Sequence, residues 1–136
     1  MTEPSSELCG TPDSFQRLWT PHRMVYIEGD KPKDETGCPF CLSPMKCDED
    51  GLIVARGEHA FVVMNLFPYS PGHLLVCPYR HIGGYIDATP EETREMAELT
   101  QRAIAVLTRV SQPAGFNIGM NQGAVAGAGI AAHLHQ

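Results

Sequence analysis

The most regular pattern of apolar and polar positions lies between residues 89 and 113. Met96, Leu99, Ala103, Ile104, Leu107 and Val110 recur at intervals of three and four, with Arg94, Glu95, Glu98 and Arg102 among them. That spacing predicts one apolar face of an α-helix. Thr89-Pro90-Glu91-Glu92 ahead of it offers an N-cap hydroxyl, a proline at the first helical position and a glutamate to complete a capping box, and Pro113 ends it. The remaining apolar stretches are short and β-branched. Residues 52–55 and 60–66 predict two strands of a hairpin, with Arg56-Gly-Glu-His59 as the turn. Pro68 to Gly72 reads as a turn, 73–77 as a third strand closed by Pro78, 115–121 as a fourth and 132–136 as the start of a fifth. Strands in sequence with one long inserted helix predict an α+β domain on a mainly antiparallel, five-stranded sheet.

Residues 1–14 are polar and rich in Ser, Thr, Pro and Glu, which predicts a disordered leader and leaves 15–136 as one domain. The segment 15–27 is dense in apolar residues but broken by Pro21; it reads as an arm packed on the domain with Trp19 as its anchor. A net charge of −6 without any run of Lys or Arg argues against nucleic acid or an anionic membrane as partner. No apolar run approaches the roughly 18 residues of a membrane span. The N-terminus Met-Thr-Glu-Pro-Ser-Ser-Glu is not a signal peptide, so a cytoplasmic protein is the expectation. Five cysteines fit no complete disulfide framework.

Two stretches carry chemistry. Asn121-Gln-Gly-Ala-Val-Ala-Gly-Ala-Gly-Ile-Ala-Ala-His-Leu-His-Gln136 runs from an asparagine and a set of glycines into two histidines one residue apart. On extended backbone His133 and His135 share a face. The N–H groups of residues 127–129, with Gly123, Gly127 and Gly129 allowing close approach, can cradle phosphate oxygens. Histidine is a nucleophile in group transfer when a neighbour fixes its tautomer. The stretch therefore predicts a phosphoryl- or nucleotidyl-transfer site. The second stretch, Cys38-Pro-Phe-Cys41, has the spacing of a zinc knuckle, but a redox pair or two buried thiols would have the same spacing. Cys9, Cys47 and Cys77 are scattered.

Asn121-x-Gly, Ala126-Gly127-Ala-Gly129 and His133-x-His135 together resemble the active-site signature of the histidine-triad (HIT) superfamily. Leu18-Trp-Thr-Pro-x-Arg-Met24 resembles the arm of actinobacterial members related to diadenosine tetraphosphate phosphorylase. The resemblance implies a five-stranded antiparallel sheet with a helix packed on it, paired into a homodimer. It implies His135 as nucleophile on the α-phosphorus of a dinucleoside polyphosphate, with His133 beside it. Asn65 would hold the ribose hydroxyls, Leu66 would line the base, and Asn121, Gly123, Gly127, Ala128 and Gly129 would meet the phosphates; relatives often have Ser where Gly129 stands. It further implies a structural Zn²⁺ on Cys38, Cys41, His81 and His133, and Mg²⁺ accompanying the polyphosphate. His22, His59 and His73 read as structural or solvent-exposed. The third histidine of the family motif would fall at position 137, so the last strand reads as truncated. A chain stopping at Gln136 is expected to be less stable and less active than a completed one. The alternatives are a hydrolase of dinucleoside polyphosphates or nucleoside phosphoramidates and, in another class, a zinc-stapled nucleotide-binding module without catalysis.

Overall fold

The computed structural model describes residues 37–136. The leader expected over 1–14 and the arm over 15–27 lie outside the described residues. The chain enters through a single helical turn, α1 (Pro39–Leu42), a 3₁₀ turn (Ser43–Met45) and a second short helix, α2 (Asp48–Gly51). The second of these helices falls on Asp48-Glu-Asp-Gly51, an acidic stretch that by its composition reads as a loop. Pro39 pre-sets φ at the first helical position of α1. Three strands follow, β1 (Ile53–Arg56), β2 (Ala60–Met64) and β3 (Leu74–Pro78), and then the long helix α3 (Pro90–Ser111). No helix among the described residues is long and apolar enough to cross a membrane.

The strands form one antiparallel sheet in the order β1-β2-β3. A bulge at Val54 shifts the β1–β2 register between Ile53↔Val63 and Ala55↔Val62. The central strand β2 is buried on both faces, so its residues read as an unbroken apolar run. Ala60 and Val62 face Met96 and Leu99 of α3, together with Val76 and Leu134. Phe61 and Val63 face the other way, toward Phe40, Ile53, Leu75 and Cys77. The sheet is thus a partition, with the helix on one side and the α1 turn on the other.

Helix α3 begins as its sequence predicts. The Thr89 hydroxyl accepts from the Glu92 N–H (3.2 Å), and the Glu92 carboxylate accepts from the Thr89 N–H (2.8 Å). The helix ends on Gln112, whose left-handed backbone (φ +46°) lets its N–H reach the Thr108 carbonyl. A second helix carboxylate, Glu95, accepts from the backbone N–H groups of Glu58 (2.8 Å), His59 (2.5 Å) and Ala60 (2.7 Å), binding the hairpin turn to α3. Gly57 permits this approach, because a Cβ there would meet the Glu95 carboxylate carbon at 2.5 Å.

The sheet differs from expectation at its β3 edge. Residues 115–121 are irregular and, apart from the half-buried Met120, exposed, and among the described residues no backbone hydrogen bond joins them to a strand. A strand requires a ladder partner. The edge of β3 is instead met by the last residue: Val76 and Gln136 exchange both of their N–H···O bonds, at 2.8 and 2.9 Å. That is one hydrogen-bonded antiparallel pair, the beginning of the strand expected from residue 132. Next to it a groove of about 890 Å³ separates β3 and the second half of α3 from 115–119. Ile104 and Leu107, on the predicted apolar face of the helix, therefore remain half-buried, and Val110 is exposed.

Burial alone would raise the Glu95 carboxyl, but its three N–H donors overcome this and hold it below its ordinary value. The unfolded chain titrates higher, so the stabilisation is complete above about pH 4.3 and is lost as pH falls through the folded value. Glu95→Gln is expected to cost about 1–2 kcal/mol at neutral pH. In thermal melts of both proteins the difference should narrow as pH falls below about 4; a difference independent of pH would contradict this account.

Candidate functional site

The α1 turn places Cys38 and Cys41 side by side. The N–H groups of Cys41 and Leu42 both donate to the Cys38 carbonyl, each at 3.0 Å, closing one tight turn. His81 follows the end of β3 and is held through its neighbour: Arg80 grips Glu92 with Nε (2.6 Å) and a terminal nitrogen (2.7 Å). Glu92 is 3% exposed, and the Arg80 guanidinium, ahead of smaller effects, holds its carboxyl below the ordinary value. The Leu134 N–H donates to the Ile82 carbonyl (2.5 Å), which brings His133 beside His81.

Four ligand-type atoms converge. Cys38 Sγ lies 3.3 Å from His133 Nδ1, Cys41 Sγ lies 3.3 Å from His81 Nδ1 and 3.5 Å from His133 Nδ1, and the two Nδ1 atoms are 3.3 Å apart. All four atoms fall within 4.8 Å of one another. A tetrahedral ion with metal–sulfur bonds of about 2.3 Å and metal–nitrogen bonds of about 2.05 Å has edges of roughly 3.3–3.8 Å between such ligands. The donor set therefore fits one tetrahedral metal ion. The tautomer agrees. His133 Nε2 is 2.9 Å from the Pro78 carbonyl, to which it can only donate, so Nδ1 presents a lone pair to the cluster. His133 is 1% exposed; burial, reinforced by His81 and His135 and opposed by the Pro78 carbonyl, keeps the imidazole below its ordinary pKa and neutral. Burial and then Cys38 raise the Cys41 thiol, so a bound cation would have to displace its proton. The described cysteines 38, 41, 47 and 77 are all free thiols.

The alternation expected of the last residues is present. Leu134 enters the core beneath α3, while His133 and His135 lie on the opposite side against Phe40. His135 Nδ1 is 2.8 Å from the His133 carbonyl. That contact places the proton on Nδ1 and leaves Nε2 with its lone pair. His135 lines a cavity of about 620 Å³ with Asn65, Leu66, Asn121, Gly127 and Gly129. Six side chains or loop positions named from the sequence thus share one cavity.

Two do not. Ala128 is 8% exposed, part of the core rather than the cavity wall. Gly123 does not border the cavity; at φ +83° it opens the 3₁₀ turn Ala124–Ala126. Of the three N–H groups expected to cradle phosphate, that of Gly127 donates to the Ala124 carbonyl (3.0 Å) and that of Ala128 to the Gly123 carbonyl (3.3 Å). The loop is held closed by its own bonds. Asn65 also shapes its loop, its side-chain carbonyl accepting from the Phe67 N–H (2.9 Å). His73, read as structural, does accept from the Tyr69 N–H (2.9 Å) and stack on the Tyr69 ring, yet it also lines the cavity. Phe40 and the Arg80–Glu92 clamp were not foreseen as parts of the site. Glu92 was visible only as a capping-box residue.

The HIT domain family profile matches residues 47–136. A Mycobacterium tuberculosis protein named AP-4-A phosphorylase is 46% identical over 132 residues, which cover 93% of this chain and 68% of that protein. The asymmetrical bis(5'-nucleosyl)-tetraphosphatase of Schizosaccharomyces pombe is 36% identical over 80 residues, 59% of this chain and 43% of that protein. Among solved structures, a HIT family protein from Bacillus anthracis superposes with a TM-score of 0.62 at 27% identity, covering 74% of this chain and 71% of its own. A zinc-bound histidine triad family protein from Mycobacterium smegmatis superposes with a TM-score of 0.61 at 25% identity, over 73% of this chain and 70% of its own.

Removing the Glu92 carboxylate would release both Arg80 and the Thr89 cap. Glu92→Ala is expected to cost about 2–3 kcal/mol in chemical denaturation. A loss below about 0.5 kcal/mol would mean that the clamp does not hold the His81 segment.

Proposed function

Since the chain belongs to the HIT domain family, we propose that this enzyme transfers a nucleotidyl group from a dinucleoside polyphosphate such as diadenosine tetraphosphate. The observation that carries the reading is His135, which lines the cavity and whose Nδ1 lies against the His133 carbonyl, leaving Nε2 as its free ring nitrogen. In this reading Nε2 attacks the α-phosphorus and the bond to the bridging oxygen breaks, releasing ATP and leaving adenylyl-His135. Inorganic phosphate then takes the adenylyl group to give ADP and restores the free imidazole. Water in place of phosphate would give AMP. Relatives named for a phosphorylase and for polyphosphate hydrolases support the substrate class, and the relative matched over most of this chain favours phosphate as acceptor.

Asn65 at the end of β2 suits the ribose hydroxyls and Leu66 the base, while Asn121, Gly127 and Gly129 suit the phosphates; Gly123 and Ala128 would act by shaping their loop. Mg²⁺ would arrive with the polyphosphate as part of the substrate. Cys38, Cys41, His81 and His133 would hold one Zn²⁺, which with four protein ligands supplies rigidity rather than an open coordination position. His133 then serves both assignments, ring to the metal and carbonyl to the nucleophile. The reading includes a cytoplasmic homodimer, which sedimentation of the purified protein would measure.

Diadenosine tetraphosphate, incubated with the full-length protein with and without phosphate, is expected to give ADP and ATP only when phosphate is present. AMP and ATP without phosphate would make the acceptor water. His135→Asn is expected to lower turnover by at least about 10³-fold with the fold retained, and wild-type turnover by that variant would remove His135 from the chemistry.

Elemental analysis is expected to find one zinc per chain. Cys41→Ser should abolish it, and chelation should lower the melting temperature. Absence of zinc, with chelator-independent stability, would leave the cluster as thiols and imidazoles.

A further inference from the structure

Phe40 lines the cavity beside His135, yet it offers no ligand to a metal and no polar group to a nucleotide. It lies between the two cysteines in sequence and is 8% exposed. Its ring faces two imidazoles: the centroid is 5.5 Å from His133 in an edge-on arrangement (70°) and 5.1 Å from His135 in a tilted one (44°). Both separations are those of favourable aromatic contacts. Phe40 belongs to the same buried cluster as Phe61, Val63 and Leu75, which restricts movement of its ring.

A hydrogen bond from Nδ1 to a carbonyl fixes one atom of the His135 ring. It does not by itself fix rotation of the ring about that bond, and Nε2 lies at the far end of any such rotation. A buried ring in contact with the imidazole, here tilted at 44°, restricts that freedom. That ring belongs to the same helical turn that places Cys38 and Cys41 against His133 and His81.

We propose that Phe40 is a positioning residue for His135, holding the imidazole so that Nε2 is aimed into the cavity, and that the CxxC turn couples the Cys/His cluster to the nucleophile through this ring. The proposal rests on the reading of His135 as nucleophile. A group that orients the attacking atom acts on the chemical step more than on binding, since small misplacements of a reacting atom cost large factors in rate.

Phe40→Leu and Phe40→Met keep an apolar side chain of similar reach and remove the flat ring. Each is expected to lower kcat about 10-fold, with KM for diadenosine tetraphosphate within about twofold and metal content unchanged. In protein carrying ¹³C-labelled histidine, relaxation of the His135 ring carbons should show larger-amplitude ring motion in both variants than in the wild type. Unchanged kcat in both variants overturns the proposal. So does a rate loss that merely follows loss of metal content and thermal stability, which would make Phe40 a core residue only. If the wild-type protein turns over no dinucleotide, the proposed function fails, and the histidine spectra still decide whether Phe40 holds the His135 ring.

Discussion

One imidazole joins parts of the molecule that are far apart in sequence. His133 donates from Nε2 to the Pro78 carbonyl at the end of β3, turns Nδ1 toward Cys38, Cys41 and His81, and offers its backbone carbonyl to Nδ1 of His135. It is almost wholly buried, and a buried imidazole is tolerated only when its polar atoms are matched. Each match here commits a different element: the sheet, the entry turn, the loop after β3 and the adjacent histidine. Disturbing one should therefore be felt at the others.

The long helix contributes to the site indirectly, through carboxylates. Glu92 and Glu95 are three residues apart, on the face of α3 turned toward the sheet. One grips Arg80 beside His81 and closes the helix cap; the other gathers three N–H groups of the β1–β2 turn. Apolar contacts through Met96 and Leu99 set how closely α3 approaches the sheet, while these directional bonds set where along it the helix lies. Burial is nearly indifferent to sliding, and charge-assisted hydrogen bonds are not.

The β3 edge shows the same distinction from the other side. Phe116 and Ile118 have the apolar alternation of a strand but are 41% and 57% exposed, and the neighbouring groove separates them from the face of α3 formed by Ile104 and Leu107. Alternation specifies which side of a strand would be buried. Whether the strand forms depends on a backbone partner at the right spacing, and on β3 that position is taken by Gln136.

Local pattern was enough for some of this protein. The capping box and its three- and four-residue repeat fixed α3 from Pro90, and β-branched runs around a glycine turn located the three strands. The resemblance of separated motifs indicated which cysteines and histidines to bring together. Those signals survive because helix caps, strand alternation and motif spacing depend on residues close in the chain. The convergence of Cys38, Cys41, His81 and His133 within 4.8 Å, the closure of the glycine loop on its own carbonyls, and the ring of Phe40 against two imidazoles could be decided only by tertiary structure. They depend on where β3, α3 and the entry turn meet, and that is set by packing and by hydrogen bonds between residues dozens of positions apart, for which a single sequence carries no periodic signal.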